Sequence, residues 1–267
     1  MLTNLSLRSL PTTVLLDREH RLAGQQPDNL CGPYWAAILL RAQGVTNVDT
    51  EQVAIEAGSV LPIGDPATWL PTGASPRQDY RLPLPQTHRA EEAGTAVAGL
   101  IDAVSSTTAG RYMLVPLRAV WSPERVETLM TLCWENPDWE AVPLCNIRTG
   151  HLWGSRLLLS DVMAYLNGKE ITVPAADWDV GHFLTLAGKI EGPVRSLVLV
   201  RDTYPRFGWD GYHLQSASVI AKALNRGDGY EGGILLFVAA KDKVEVERQA
   251  KERGFRILSW DNGTPAQ

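Results

Sequence analysis

The chain has 267 residues, 45 % of them hydrophobic and 21 % charged, with a formal charge of −5. This composition excludes a disordered, coiled-coil or collagenous chain, and one domain of this length buries roughly three quarters of its unfolded surface without staples. The acidic balance, with no dense basic block, argues against nucleic acid as a partner.

The N-terminal apolar stretches are broken by Arg8, Pro11 and Asp17, so the unbroken core of a signal peptide is missing. No apolar run reaches the roughly 18 residues that would span a bilayer, and no membrane partner is expected. Residues 31–44, "CGPYWAAILLRAQG", predict a helix with Pro33 in its first turn and Gly44 at its end. Residues 49–58 predict a second, short helix capped by Asp49 or Thr50. Between Ser59 and Thr87 the text turns rich in Pro and Gly, and long ordered loops of this kind often border a site.

Helical spacing returns around residues 90–106, "RYMLVPLRAV" reads as a strand, and Ser122 with Pro123 opens a further helix. "GHFLTLAGKI" and "VRSLVLVRDT", joined by "EGP", predict an antiparallel hairpin in a central sheet. Residues 208–227 are partly helical, after which strand, helix and strand alternate to "FRILSW". The expectation is an α+β fold in a single domain spanning 1–267, with a boundary near Gly227–Gly233 and 228–267 as a β-α-β appendage or the edge of the same sheet.

Cys31 stands where the first helix opens. A thiolate is the reactive form of cysteine, and a helix N-terminus and an imidazolium both favour it. The dipole contributes only about 0.3 to 1 kcal/mol at an exposed site, so a histidine is needed as well. Of the five, His182 opens the strongest predicted strand, where a rigid sheet aims the ring; His151 is the alternative base. His20 precedes the cysteine, His88 lies in the long loop and His213 in a turn rich in Gly and aromatic residues. Asp202 ends the strand after that of His182, within reach to orient its second nitrogen. Gln25, six residues before Cys31, is placed to hold a developing oxyanion with the Cys31 backbone N–H, and Gln26 is the alternative.

Gln25, Cys31-Gly32-Pro33 with its apolar helix, Gly181-His182-Phe183 and Asp202 together resemble the papain-like cysteine peptidases. The likeness is closest to the bacterial double-glycine leader peptidases, and it covers residues 25–44 and 178–205. It implies a papain-like fold, with the helix that carries the cysteine packed on an antiparallel sheet, and a thiol peptidase acting on a peptide or amide, a precursor leader among the candidates. Unlike transporter-linked members, this sequence carries no membrane spans and no ATPase domain. Acyl transfer on the same fold, or a binding protein with an inert cysteine, are the alternatives. Trp178 and Trp209, flanking the hairpin, are candidate groove walls.

Cys133 and Cys145 sit in apolar text and read as core. Three scattered cysteines without a close pair suit neither a disulfide framework nor a zinc site. No metal and no cofactor is expected, and free thiols fit the cytoplasm. The sequence carries no signal of oligomeric state.

Overall fold

The structure is a computed structural model and describes residues 5–265. Strand β1 (Ser6–Ser9) and helix α1 (Thr13–Ala23) precede the first predicted helix, α2 (Cys31–Ala42). Residues Gly32 to Leu40 of α2 are all buried, which explains an apolar text with no polar face: the helix is covered all round. On one side it meets the sheet, where Trp35 Nε1 donates to the Phe183 carbonyl at 3.1 Å. Gly32 permits that approach, since a Cβ there would lie 3.2 Å from both Leu100 and Phe183. On its other sides lie α1, α3 (Thr50–Glu56) and, beyond the short strands β2 (Leu61–Pro62) and β3 (Gln86–Thr87), α4 (Val97–Thr107).

The remaining elements are β4 (Tyr112–Arg118), α5 (Pro123–Glu135), β5 (Val142–Arg148), α6 (Leu159–Leu166), β6 (Gly181–Glu191), β7 (Ser196–Arg201), β8 (Tyr212–Gln215), α7 (Ala217–Asn225), β9 (Gly233–Ala239), α8 (Lys243–Glu252) and β10 (Arg256–Ile257). The main sheet runs β10-β4-β9-β5-β6-β7-β8, with every neighbouring pair antiparallel. The molecule is therefore α+β, and β6 and β7 form the predicted hairpin. One edge of β6 is shared: β5 pairs with Gly181–Thr185, and β1 with the far half from Gly188 to Glu191.

Helices cover both faces of this sheet. Leu114, Leu144, Phe183 and Leu235 point into a core with α2 and α4, while Val115, Cys145, Leu184 and Leu236 point into a second core with α5 and α7. Burial on both faces explains why these strands read as continuous apolar runs. Cys133 and Cys145 are fully inside the second core, and burial pushes the Cys133 thiol up to about 12. The segment from residue 228 onward is no appendage: β9 lies in the middle of the sheet between β4 and β5, so this segment completes the core. Strand β5 and helices α1 and α6 lie outside the elements predicted from sequence.

The Pro-rich segment is irregular but tied down. Glu51 of α3 accepts from the Arg81 and Leu82 backbone N–H groups at 2.6 and 2.7 Å. Asp28 holds it from the other side: its Oδ1 accepts from Arg77 N, and its carbonyl accepts from the Tyr80 hydroxyl at 2.8 Å. The long loop thus braces the chain just before Cys31.

Candidate functional site

Cys31 is the first residue of α2. No side chain caps this helix, and Pro33 has no N–H to satisfy, so the Cys31 and Gly32 N–H groups face forward without a side-chain acceptor. The turn that leads in puts Asn29 at φ 60°, a left-handed conformation that asparagine tolerates better than most residues. Cys31 is half-buried and lines a cavity of about 370 Å³ together with Gln26, Asn29, His182 and Tyr204.

His182 is the second residue of β6, and Asp202 follows the last residue of β7. Both are 1 % exposed, and His182 Nε2 lies 3.2 Å from Asp202 Oδ1. With Nε2 engaged, Nδ1 is the nitrogen left for Cys31, which lines the same cavity wall. Trp178 packs edge-on against the imidazole with centroids 4.9 Å apart. Asp202 Oδ1 also accepts from the Thr203 hydroxyl at 3.3 Å and the Tyr204 N–H at 3.4 Å.

A second imidazole approaches the same carboxylate. His213, on β8, places Nε2 3.7 Å from Asp202 Oδ2. Its tautomer is fixed from behind. Gln215 Oε1 accepts from Trp153 N–H at 2.9 Å and Gln215 Nε2 donates to Trp153 O at 2.8 Å, so the amide cannot be turned around. That same Nε2 donates to His213 Nδ1 at 3.0 Å, leaving the His213 proton on Nε2, toward Asp202. Asp202 Oδ1 accepts hydrogen bonds and Oδ2 faces the His213 N–H, which suits an ionised carboxylate.

Burial by itself would push His182 down, but the Asp202 carboxylate and the Cys31 sulfur override it and raise the imidazole to about 10. Burial would likewise raise Asp202, yet His182 and His213 hold it well below the usual carboxylate range. Stability follows with opposite signs. The raised His182 contributes fully below its ordinary 6.5 and loses that contribution as pH rises through about 10. The lowered Asp202 contributes fully above its ordinary 3.8 and loses it as pH falls below that. The melting-temperature gap between wild type and His182→Gln is thus expected to be widest between pH 3.8 and 6.5 and to narrow toward pH 10. A gap that widens with rising pH would contradict a protonated, paired His182.

Of the residues singled out from sequence, Cys31, His182, Asp202 and Trp178 meet here. Gln25 does not: its amide donates to the Ser75 carbonyl at 2.8 Å, and its neighbour Gln26 lines the cavity instead. One step along the turn reverses which side chain points inward. Trp209 is 48 % exposed in the β7–β8 connection and is absent from the cavity wall, because the chain bridges back on itself at Trp209–Tyr212. His151 is turned away to the Arg226 carbonyl. His20 stacks on Trp35 beneath the site and accepts from Arg201 at 2.7 Å; burial and that positive neighbour push it down to about 3, so it stays neutral. His213, Asn29 and Trp69 were not picked out from sequence, and the short strand that carries His213 is buried at three consecutive residues without alternation. Among the described residues, no group of three His, Cys, Asp or Glu side chains is arranged to hold a metal ion, and no helix is long and apolar enough to cross a membrane.

Fold and site together define an α+β protein with a half-buried cysteine at a helix start, facing a buried histidine–aspartate pair on a sheet. The chain belongs to a family of unknown function, DUF6885, whose sequence pattern matches residues 10–261. No curated protein matches it.

Proposed function

We propose that this protein is a thiol-dependent hydrolase or acyltransferase acting on a peptide or amide carbonyl, built on a papain-like plan. The observation that carries this reading is the buried His182–Asp202 pair, 3.2 Å apart, beside the Cys31 sulfur at the mouth of α2. Its support from the fold is the helix bearing the cysteine packed on an antiparallel sheet that supplies the other two groups. Structural cysteines in this chain have the opposite setting, deep in the second core without a charged neighbour.

In the proposed reaction Cys31 Sγ attacks the carbonyl carbon and the oxygen becomes an oxyanion. The Cys31 N–H and the Gln26 amide, which replaces Gln25 in this role, donate to that oxygen. Gln26 Oε1 is buried without a partner, so no hydrogen bond on that oxygen fixes which end of the amide faces the cavity. The carbon–nitrogen bond then breaks as His182 gives its Nδ1 proton to the leaving nitrogen, and a thioester remains. Water, or an amine in the transfer variant, attacks the thioester carbon and gives its proton to His182, the carbon–sulfur bond breaks, and the product leaves with the Cys31 thiolate and the His182 imidazolium restored. Asp202 holds the ring throughout. The free, buried Cys133 and Cys145 accord with work in a reducing compartment such as the cytoplasm.

The test is to incubate wild type and Cys31→Ala with peptide libraries, precursor leaders included, and to follow products and trapped thioesters by mass spectrometry. Products formed by wild type and reduced by at least about 10³-fold in Cys31→Ala are expected. Equal background from both would remove the catalytic reading and leave a binding protein.

A further inference from the structure

Buried polar atoms without partners are costly, about 1–3 kcal/mol each, and natural folds leave few of them. Among the described residues eleven such side-chain atoms occur, and three of them, Gln26 Oε1, Asn29 Nδ2 and Trp69 Nε1, belong to residues lining the one cavity that holds Cys31 and His182. Asn29 sits two residues before Cys31 in the braced turn. Trp69 comes from the Pro-rich segment, directly after a short turn (Pro66–Thr68) capped by Asp65, and its ring packs against Gly64. Two separate parts of the chain thus bring residues with unpaired groups to the wall of one cavity.

The chemistry of these groups is selective. An indole N–H only donates, and Asn29 Nδ2 is likewise a donor. The cations of the same wall are already spent: Arg226 binds Asp228 through Nε and Nη2 and the Asn262 carbonyl through Nη1, while Arg148 pairs with Asp179 and Asp228. The unpaired atoms of this wall are thus one acceptor, Gln26 Oε1, and two neutral donors, Asn29 Nδ2 and Trp69 Nε1, and the donors suit carbonyl oxygens better than a carboxylate.

Resting on the reading of Cys31 as nucleophile, we propose that Asn29 and Trp69 form a recognition subsite for a second carbonyl of the substrate, so that the acyl group is peptidyl and not a simple acid. A substrate lacking that carbonyl would leave both donors buried and unpaired, and such sites discriminate strongly. The long insertion then has a task beyond bracing the turn: it supplies one half of the specificity.

The experiment compares two vinyl sulfones of equal length, one carrying an acetylated amide and the other a hydrocarbon isostere of that amide. Labelling of Cys31 is followed by intact-protein mass spectrometry, with iodoacetamide as a probe too small to reach the subsite. Wild type is expected to favour the amide probe by about tenfold or more. Trp69→Phe, which keeps a ring against Gly64, and Asn29→Gly, which accepts the positive φ, should each reduce that preference by about fivefold or more, with iodoacetamide rates unchanged. A preference unaltered in both variants overturns the subsite while leaving the nucleophile intact. Iodoacetamide labelling no faster in wild type than in His182→Ala at acidic pH would overturn the nucleophile itself, and the subsite with it.

Discussion

Alkylation of Cys31 by iodoacetamide at pH 6 is expected to be at least about tenfold faster in the wild type than in His182→Ala. The difference comes from one charge. A free thiol loses its reactive form steadily below about 8.5. His182, raised to about 10, is an imidazolium over this whole range, and it stands beside the sulfur in a buried site where screening is weak. The α2 N-terminus is common to both proteins, so the difference between them reads the imidazole alone. Equal rates in the two proteins would mean that the imidazole does not activate the sulfur, and the reaction proposed above would lose its nucleophile.

Asp202→Asn is expected to lower turnover by about 10² to 10⁴-fold and to destabilise the fold by about 3–5 kcal/mol, measured by library turnover and urea unfolding. Two imidazole N–H groups face this carboxylate, from His182 at 3.2 Å and from His213 at 3.7 Å. An asparagine offers one acceptor in place of two, and its NH₂ would confront a donor whichever way it turned. His213 cannot adapt by moving its proton, because Gln215, locked on the Trp153 backbone, already donates to its Nδ1. With that one acceptor turned to His213, His182 is left free to take the wrong tautomer. A variant that lost less than about 1 kcal/mol would show that the carboxylate is not charged and shared in the folded protein.

The sequence by itself determined the parts whose signal is local. Cys31 before Gly-Pro and an apolar run marks a helix start, and "GHFLTLAGKI" with "VRSLVLVRDT" marks a hairpin; strand alternation was enough to let His182 and Asp202 share a face. Tertiary structure alone decided the rest, because those outcomes depend on contacts between distant segments. The assignment of β9 to the sheet centre follows from pairing with β4 and β5, which no local pattern encodes. That Gln26, not Gln25, turns inward follows from the grip of Ser75 and Arg77, some fifty residues away, on the turn before α2. The second imidazole on Asp202 and the unpaired donors of Asn29 and Trp69 arise in the same way: side-chain direction in a loop is set by what braces it.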